Sequence, residues 1–255
     1  MPDLVAAVTG ASGGIGRGIA ARLAGAGAAV AVSARSEQGG LETVRQIEAA
    51  GGTARFTCVD VTDPQAVRDW IHATAREFGR LDWLVNNAGM NGRSARLEEC
   101  TLEEYHEVIA TNLHSVFYTL HAAIPIMRAQ GGGSIVNIGS TASLQGYGTL
   151  SGYTASKHGL LGLTRSAALE NADVPIRVNC VCPGPVDTPL MRSIEVLVNP
   201  DDPAAAKQMF EGTTALKRYG TVQEIADVVH FLLTAPSGYV TGTAISVDGG
   251  VMTGV

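Results

Sequence analysis

Short apolar runs alternate along the chain with longer stretches of helix or loop length. The runs occupy residues 4–8, 28–34, 54–59, 83–85, 134–138, 176–182 and 244–247. Each run has the length of a strand, and apolar runs of this kind are typical of parallel strands that are buried on both faces. The alternation predicts an α/β fold, with a doubly wound sheet of about seven parallel strands and helices on both faces.

Three polar positions mark predicted helix starts. Asp63 precedes Pro64, and proline is favoured at the first position of a helix. Thr101 opens the sequence T-L-E-E and Thr221 opens T-V-Q-E. In both, the threonine and the glutamate three residues later can cap the helix reciprocally. We therefore expect helices to begin directly after these three positions.

Length and composition favour a single domain over residues 1–255. Hydrophobic residues make up 45% of the chain and charged residues 16%, which suits a large buried sheet. No linker or shift in charge divides the sequence. The stretch 189–212 interrupts the rhythm with prolines, acidic residues and weak periodicity. We predict that it is a mobile insertion that acts as a lid over the substrate.

The charge pattern argues against two classes of partner. The net charge is −6 and no run of lysine and arginine occurs, so neither nucleic acid nor an anionic membrane is expected to bind. The first residues lack the basic segment and apolar run of a signal peptide, and no apolar stretch has transmembrane length. A cytoplasmic protein is the expectation.

The four cysteines show no metal-ligand or redox spacing. Cys180 and Cys182 alternate with valines in an apolar run, and Cys58 and Cys100 stand alone. The six histidines are scattered. We interpret the paired cysteines as reduced packing residues of a strand, and we expect no metal site.

A glycine-rich loop directly follows the first predicted strand. It reads T-G-A-S-G-G-I-G at residues 9–16, with glycines at 10, 14 and 16. Glycine permits backbone conformations and close approaches that a side chain prevents, and the N-terminus of the next helix attracts negative charge. A glycine loop between a strand and a helix therefore predicts that this end of the sheet binds a nucleotide diphosphate.

The end of the second predicted strand bears on the choice of dinucleotide. An NAD site commonly has a carboxylate there for the ribose hydroxyls, whereas this chain has Ala34 followed by Arg35. A guanidinium can pair with the 2′-phosphate of NADP. NADP(H) is favoured on this basis, and NAD(H) stays open because Glu37 can still reach a ribose.

Tyr153 and Lys157 lie four residues apart, and Ser140 lies upstream of them. In a helix the two side chains share a face. A nearby cation lowers the pKa of a phenol, so the pair is suited to proton transfer and the serine hydroxyl to holding an oxygen. Taken alone, the spacing also fits an amphipathic helix with a solvated lysine.

The ordered motifs together resemble the short-chain dehydrogenases/reductases, over nearly the whole chain. They are the loop at 9–16, D-V at 60–61, N-N-A-G at 86–89, T-N-L at 111–113, Ser140, Tyr153 with Lys157, and P-G-P-V-D-T at 183–188. Gly13 departs from the pattern, since many NADP-dependent members carry a basic residue there. The resemblance implies a Rossmann-like fold and a nicotinamide cofactor.

The resemblance also assigns roles to residues. The implied cofactor-binding residues are Gly10, Ser12, Gly14, Ile15, Gly16, Arg35, Asp60, Val61, Asn87, Ala88, Gly89, Tyr153, Lys157, Pro183, Gly184, Val186 and Thr188. Asp60 would accept a hydrogen bond from the adenine amino group, and Val186 and Thr188 would hold the nicotinamide carboxamide. Asn112 would bind a water that relays protons between Lys157 and solvent. The implied catalytic residues are Asn112, Ser140, Tyr153 and Lys157.

The implied reaction is hydride transfer between a nicotinamide and a carbonyl or secondary alcohol, with Tyr153 as general acid or base. The predicted substrate wall includes Ser140, Leu144, Tyr147, Leu190 and Met191, with Leu150 and Met209 nearby. This mostly apolar set favours a lipophilic ketone. The nearest resemblance is to 3-oxoacyl-thioester reductases and polyketide ketoreductases. A sugar, polyol or steroid alcohol dehydrogenase, or a silent dinucleotide-binding regulator, remains an alternative.

The sequence raises two kinds of protein partner, an acyl-carrier protein and further copies of the same chain. An acyl-carrier protein would require a basic rim, for which the candidates are Arg93, Arg96, Arg128 and Arg192. A homo-oligomer, either tetramer or dimer, is expected by resemblance, through helices at about 101–129 and 152–170. Apolar positions on these helices fit either that interface or the core; they are Val116, Leu120, Leu160, Leu163 and Ala167.

Overall fold

The sheet of the computed structural model, which describes residues 2–254, consists of parallel strands in the order β3-β2-β1-β4-β5-β6-β7. The strands are β1 (Val5–Thr9), β2 (Ala29–Ala34), β3 (Thr53–Cys58), β4 (Trp83–Asn86), β5 (Gly133–Ile138), β6 (Ile176–Pro183) and β7 (Ala244–Val247). The predicted runs match these bounds to within one residue. The doubly wound parallel sheet is thereby confirmed.

The helices fill the intervals between the strands. They are α1 (Gly14–Gly25), α2 (Glu37–Ala49), α3 (Pro64–Phe78), α4 (Leu102–Ile109), α5 (Ser115–Ala129), α6 (Ser151–Glu170), α7 (Pro189–Val198), α8 (Pro203–Gly212) and α9 (Val222–Leu233). The predicted starts are confirmed. Asp63 caps α3 by accepting from two backbone N–H groups, and Thr101 and Thr221 form reciprocal capping boxes on α4 and α9.

Two apolar cores cover the two faces of the sheet. One contains Ile19 of α1, Ile47 of α2 and Leu232 of α9, and the other contains Ile71 of α3 and Leu160 of α6. All five side chains are at most 2% exposed. Helices therefore lie on both faces, as the alternating pattern predicts.

The apolar positions that fit either a core or a subunit interface belong to the core. Val116, Leu120, Leu160 and Ala167 are buried within one chain, and Leu163 packs against the same cluster. Their burial is explained by the sheet that they cover. Among residues 2–254, no helix has both the length and the apolar character needed to cross a bilayer.

The predicted insertion at 189–212 folds as two helices, α7 and α8. Pro189 and Pro203 occupy first-turn positions, and Thr188 and Asp202 accept hydrogen bonds from the N–H groups that follow. Proline at the first turn starts a helix rather than breaking one. The sequence pattern did not predict these two helices, and the role of residues 189–212 as a mobile lid stays a prediction.

The carboxyl ends of β1, β4, β5 and β6 lie side by side at one edge of the sheet. The strand order reverses direction at β1 and β4, and ligands of doubly wound sheets bind outside the carboxyl ends at such a point. The segments that leave this edge are residues 10–16, 87–91, 139–144 and 184–188. They carry most of the predicted site residues.

Candidate active site

A cavity of about 900 Å³ opens at this edge of the sheet. Nearly every predicted site residue lines it, from the glycine loop to α7. The exceptions are Asp60, Asn112, Leu144 and Met209. The topology thus brings residues that are separated by more than 150 positions in sequence into one space.

The glycine loop is shaped by contacts that leave no room for a side chain. Gly10 has a φ of +65°, and a Cβ on it would lie 2.7 Å from the Cα of Ala88. A Cβ on Gly16 would lie 2.4 Å from Nδ2 of Asn87. That nitrogen donates to the carbonyl oxygens of Thr9 and Gly10, at 3.0 and 3.1 Å. The loop of residues 9–16 and the segment after β4 therefore form one rigid wall.

The helix α1 starts beside this wall without a side-chain cap. The first N–H groups of a helix have no acceptor within it, and those of Gly14, Ile15 and Gly16 belong to cavity-lining residues. Uncapped N–H groups next to a glycine cradle fit the diphosphate of a dinucleotide. The residues present are therefore compatible with the cofactor that the sequence predicts.

The other end of this part of the cavity is bounded by Arg35 and Ser36. Ser36 caps α2 by accepting from the N–H of Gly39. Arg35 is exposed and forms no ion pair with any side chain of residues 2–254. A guanidinium beside a helix N-terminus is a favourable place for an anion.

Asp60 lies between two cavity-lining valines but is not itself part of the lining. Its Oδ1 accepts from the N–H and the hydroxyl of Thr62, at 2.9 and 2.7 Å. These bonds, together with Arg35, hold the pKa of Asp60 below its usual value. The carboxylate therefore remains an acceptor, and its binding of adenine stays a prediction.

Ser140 ends the segment that follows β5 and is oriented by a local turn. Its Oγ accepts from the N–H of Ala142 at 3.1 Å, and its own N–H donates to the hydroxyl of Ser143 at 3.2 Å. Because the oxygen of Ser140 already accepts one bond, its proton is available for another acceptor in the cavity. The geometry presents this serine as a hydrogen-bond donor.

Lys157 is 4% exposed, and its Nζ donates to the carbonyl oxygen of Ile138 at 2.9 Å. Burial lowers the pKa of this ammonium to about 8. The nitrogen lies 5.7 Å from the centre of the Tyr153 ring, so the two side chains share one helix face as predicted. Two of its three N–H groups remain for other partners.

The predicted effect of Lys157 on Tyr153 is not what the structure shows. Burial raises the pKa of Tyr153, and a side-chain interaction with Ser140 acts in the opposite direction. The Lys157 ammonium donates to the carbonyl of Ile138 at the end of β5, and desolvation is the largest influence on the pKa of Tyr153. Tyr153 is consequently a protonated phenol at neutral pH.

Asn112 lies in a π-helical segment, Ala110–His114, between α4 and α5. Its Oδ1 accepts from the N–H of Met90 at 2.8 Å, and its Nδ2 donates to the carbonyl of Met90 and to Ser156 Oγ, at 2.8 and 3.0 Å. The side chain is fully buried. It ties the segment after β4 to the helix that carries Tyr153, and its role in a water relay stays a prediction.

The substrate side of the cavity is built mainly from α7 and the 141–150 loop. Leu190, Met191 and Ile194 contribute one wall. Opposite the apolar residues, the Tyr147 hydroxyl lies 2.8 Å from Thr141 Oγ1 and accepts from Gln145 Nε2 at 2.8 Å. The chamber is therefore largely apolar with one polar corner.

Two predicted wall residues lie elsewhere. Leu144 packs against the core beneath the sheet edge instead of lining the cavity, because the turn at 141–143 directs it inward. Met209 is 52% exposed, and its neighbour Phe210 lines the cavity in its place. Several lining residues were not predicted: Ser36, Thr141, Gln145, Ile194, Phe210, Thr213 and Val251. Of these residues, Ile194 is the one that the sequence could have indicated, because it follows Leu190 by one helical turn and so shares its face.

Comparison with known proteins places the chain among nicotinamide-dependent enzymes. A family model described as enoyl-(acyl carrier protein) reductase matches residues 10–252. Levodione reductase of Leifsonia aquatica is 39% identical over 251 residues, which cover 97% of this chain and 94% of that protein. Cyclohexanol dehydrogenase of Acinetobacter sp. (strain SE19) is 39% identical over 249 residues, with coverage of 96% and 93%.

Solved structures agree with these matches. The crystal structure of levodione reductase has a TM-score of 0.97 at 36% identity, with all of both chains covered. A crystal structure of an actinorhodin polyketide ketoreductase variant with NADPH has a TM-score of 0.93 at 36% identity, with 97% of both chains covered. The likeness extends over the whole sheet and both helical layers.

Proposed function

The chain belongs to the short-chain dehydrogenase/reductase family of NAD(P)-dependent oxidoreductases, and from this premise we propose that it reduces lipophilic ketones with NADP(H) preferred over NAD(H). The observation that carries the proposal is the single cavity in which Ser140, Tyr153 and Lys157 adjoin a mostly apolar chamber. The family acts on both alcohols and ketones, so substrate and cofactor preference are the new elements.

The residues that would hold the cofactor follow from the cavity. The loop of residues 10–16 would bind the diphosphate, Arg35 and Ser36 a 2′-phosphate, and Val186 and Thr188 the nicotinamide amide. A bound nicotinamide dinucleotide supplies or accepts the hydride. The NADP(H) preference is supported by Ala34 at the usual carboxylate position and by the exposed guanidinium of Arg35.

The protein handles the charge that forms on the substrate oxygen during reduction. Ser140 is oriented as a donor and would stabilise that oxygen by a hydrogen bond. Tyr153 would deliver the proton. Since burial raises the pKa of Tyr153, the phenol is protonated at neutral pH, which is the state that reduction requires.

Lys157 would assist the proton transfer. Its pKa of about 8 lies near neutrality, so the ammonium can exchange its proton at moderate cost. The amine stays fixed by the carbonyl of Ile138, which leaves its other N–H groups for Tyr153 and a cofactor ribose. Asn112 would continue the path to solvent through a bound water.

The chamber favours a free small ketone as substrate. Its walls include Leu150, Leu190, Met191, Ile194 and Phe210, which suit a ring or a branched hydrocarbon. The relatives named for levodione and cyclohexanol support a cyclic ketone. The polar corner at Tyr147 would accommodate a second oxygen.

The expected basic rim for an acyl-carrier protein is neutralised. All four candidate arginines form ion pairs with carboxylates: Arg93 with Glu104, Arg96 with Glu98, Arg128 with Asp173, and Arg192 with Asp187 and Glu195. A rim that is compensated in this way attracts an acidic partner weakly. Carrier-bound substrates are therefore the second candidate, which the family-model description and the polyketide ketoreductase likeness favour.

The test is a substrate screen with purified enzyme. Oxidation of NADPH and of NADH is followed with substituted cyclohexanones and with 3-oxoacyl thioesters, and reduction of NADP⁺ with sugars, polyols and steroid alcohols. We expect the highest kcat/KM for a cyclic ketone with NADPH, and Tyr153→Phe serves as the inactive control. A higher value for a thioester or a polyol would replace the proposed substrate class, and failure with every pair would favour a silent regulator.

A homo-oligomer remains part of the proposal. With the core positions accounted for, the exposed apolar side chains on α4, α5 and α6 are the candidates for subunit contact: Leu102, Tyr105, Phe117 and Leu169. Light scattering on wild type and on Phe117→Lys distinguishes the outcomes. We expect a dimer or tetramer for wild type and a smaller species for the variant.

A further inference from the structure

The position of α7 determines one wall of the substrate chamber. Leu190, Met191 and Ile194 face the cavity from this helix, yet Val196, Leu197 and Val198 at its end are at least 50% exposed. The helix therefore has little apolar burial at its C-terminal half to fix it. Polar contacts must therefore help to hold α7, and with it the substrate wall, in place.

A buried carboxylate on α7 provides that attachment. Glu195 is 3% exposed, and its Oε1 accepts from the hydroxyl of Tyr219 at 2.8 Å. Its Oε2 accepts from Nη1 of Arg192 at 2.9 Å. A buried carboxylate is costly unless it is paired and hydrogen-bonded, so both partners are needed to keep it there. None of these three residues lines the cavity.

Tyr219 belongs to the segment that pairs with the cofactor-binding loop. The next residue, Gly220, donates to the carbonyl of Pro185 and accepts from the N–H of Asp187, both at 2.9 Å. Val186, between them, lines the cavity where the nicotinamide amide would bind. Glu195 and Tyr219 therefore connect the substrate helix to this loop through one hydrogen bond.

Two further contacts hold the same ring. The guanidinium of Arg192 lies 5.2 Å from the ring centre of Tyr219 and also donates to Asp187 Oδ1 at 2.9 Å. Nζ of Lys207, on α8, lies 5.7 Å from the ring centre. Burial, together with the Glu195 carboxylate, raises the pKa of Tyr219, so the hydroxyl keeps its proton and remains a donor.

We propose that Glu195 and Tyr219 are positioning residues that couple the substrate helix α7 to the cofactor loop at 183–188. Through this coupling they set the affinity for the ketone and transmit cofactor binding to the substrate wall. Neither residue touches the ketone or the cofactor. The inference rests on the proposed function for the identity of the substrate. The coupling itself can be measured without turnover. It concerns residues outside the catalytic set.

The first experiment measures hydrogen–deuterium exchange with and without NADP⁺. In wild type, we expect NADP⁺ to slow exchange in residues 183–188 and in α7. In Tyr219→Phe, which removes only the hydroxyl, protection should persist at 183–188 and be lost from α7. Tyr239→Phe makes the same chemical change at a fully exposed position and should behave as wild type. Equal protection of α7 in Tyr219→Phe and wild type would overturn the proposal.

The second experiment uses steady-state kinetics with the best ketone of the screen. We expect the KM of Tyr219→Phe to rise about tenfold, the effect of losing one buried hydrogen bond to a carboxylate, while kcat and the Kd for NADP⁺ change less than about twofold. A parallel loss of kcat, KM and NADP⁺ affinity would indicate a general structural role and refute the assignment.

A second variant tests the coupling where Tyr219→Phe does not fold or where no ketone is turned over. Glu195→Gln keeps an acceptor for Tyr219 but weakens the bond to Arg192, so it should show an intermediate loss of α7 protection. If no ketone is turned over, the proposed function fails while the exchange pattern still decides the coupling. Where Tyr219→Phe does not fold, wild-type exchange in Glu195→Gln alone would overturn the proposal.

Discussion

The buried ammonium of Lys157 makes the stability of the protein depend on pH in a calculable way. Its pKa falls from 10.5 to about 8 because of burial, and at about 1.4 kcal/mol per pH unit the difference amounts to about 3 kcal/mol. Between these two values the unfolded chain binds more protons than the folded one. The free energy of unfolding should therefore rise with pH over the window from about 8 to 10.5.

Lys157→Met removes the titrating group while keeping a side chain of similar length. We expect wild type to gain up to about 3 kcal/mol relative to the variant as pH increases from 7 to 10.5. Below pH 8 the full cost of the buried cation is present in wild type. The measurement is urea unfolding of both proteins at several pH values. Groups that do not interact with Lys157 titrate alike in both proteins and cancel in the difference, whereas Lys157 lowers the pKa of the Cys180 and Cys182 thiols only in wild type.

The prediction is tested by how the difference in the free energy of unfolding between wild type and Lys157→Met changes with pH. The bond from Nζ to the carbonyl of Ile138 is stronger for the ammonium than for the amine, and that difference is already contained in the pKa shift, so losing the bond otherwise adds only a constant offset. A difference that stays constant between pH 7 and 10.5 would show that Lys157 titrates at its ordinary value. The desolvation argument for Lys157 would then be wrong.

Three further substitutions test the catalytic and cofactor ends of the cavity. Tyr153→Phe should abolish turnover with nearly unchanged NADP⁺ affinity, and kcat above about a tenth of wild type would contradict a general-acid role. Arg35→Asp should shift the ratio of kcat/KM toward NADH, and an unchanged ratio would remove Arg35 as the phosphate contact. Gly16→Ala places a methyl group 2.4 Å from Asn87 Nδ2; NADP⁺ affinity should fall at least tenfold and stability by about 1–3 kcal/mol, measured by titration and thermal unfolding.

The sheet could be predicted closely because its central strands occupy runs that are apolar over most of their length. Central strands such as β1, β2 and β4 are buried at every position, and their polar residues, Thr9, Ser33 and Asn86, lie only at or next to the carboxyl ends. The helices α7 and α8 were not predicted because their apolar residues do not follow a clear helical pattern. Both present exposed apolar residues, and their first-turn prolines read as breaks in the pattern.

The substrate wall was only partly predictable because it depends on the phase of helices and turns. Met209 and Phe210 are adjacent in sequence, and only the orientation of α8 decides which faces the cavity. Leu144 and Tyr147 lie on one loop, yet the turn at 141–143 sends the first to the core. Local patterns cannot resolve a difference of one residue in such segments.

The Tyr153–Lys157 pair shows why proximity alone does not give the electrostatics of a site. The helical spacing correctly places the two side chains together, but the direction of the Tyr153 pKa depends on where the ammonium points and on how much water reaches the phenol. The Lys157 ammonium donates to the carbonyl of Ile138 at the end of β5, and Lys157 is not among the influences that lower the pKa of Tyr153. Desolvation then prevails over charge attraction. A protonated phenol beside a donor serine can supply the proton that reduction of a ketone requires.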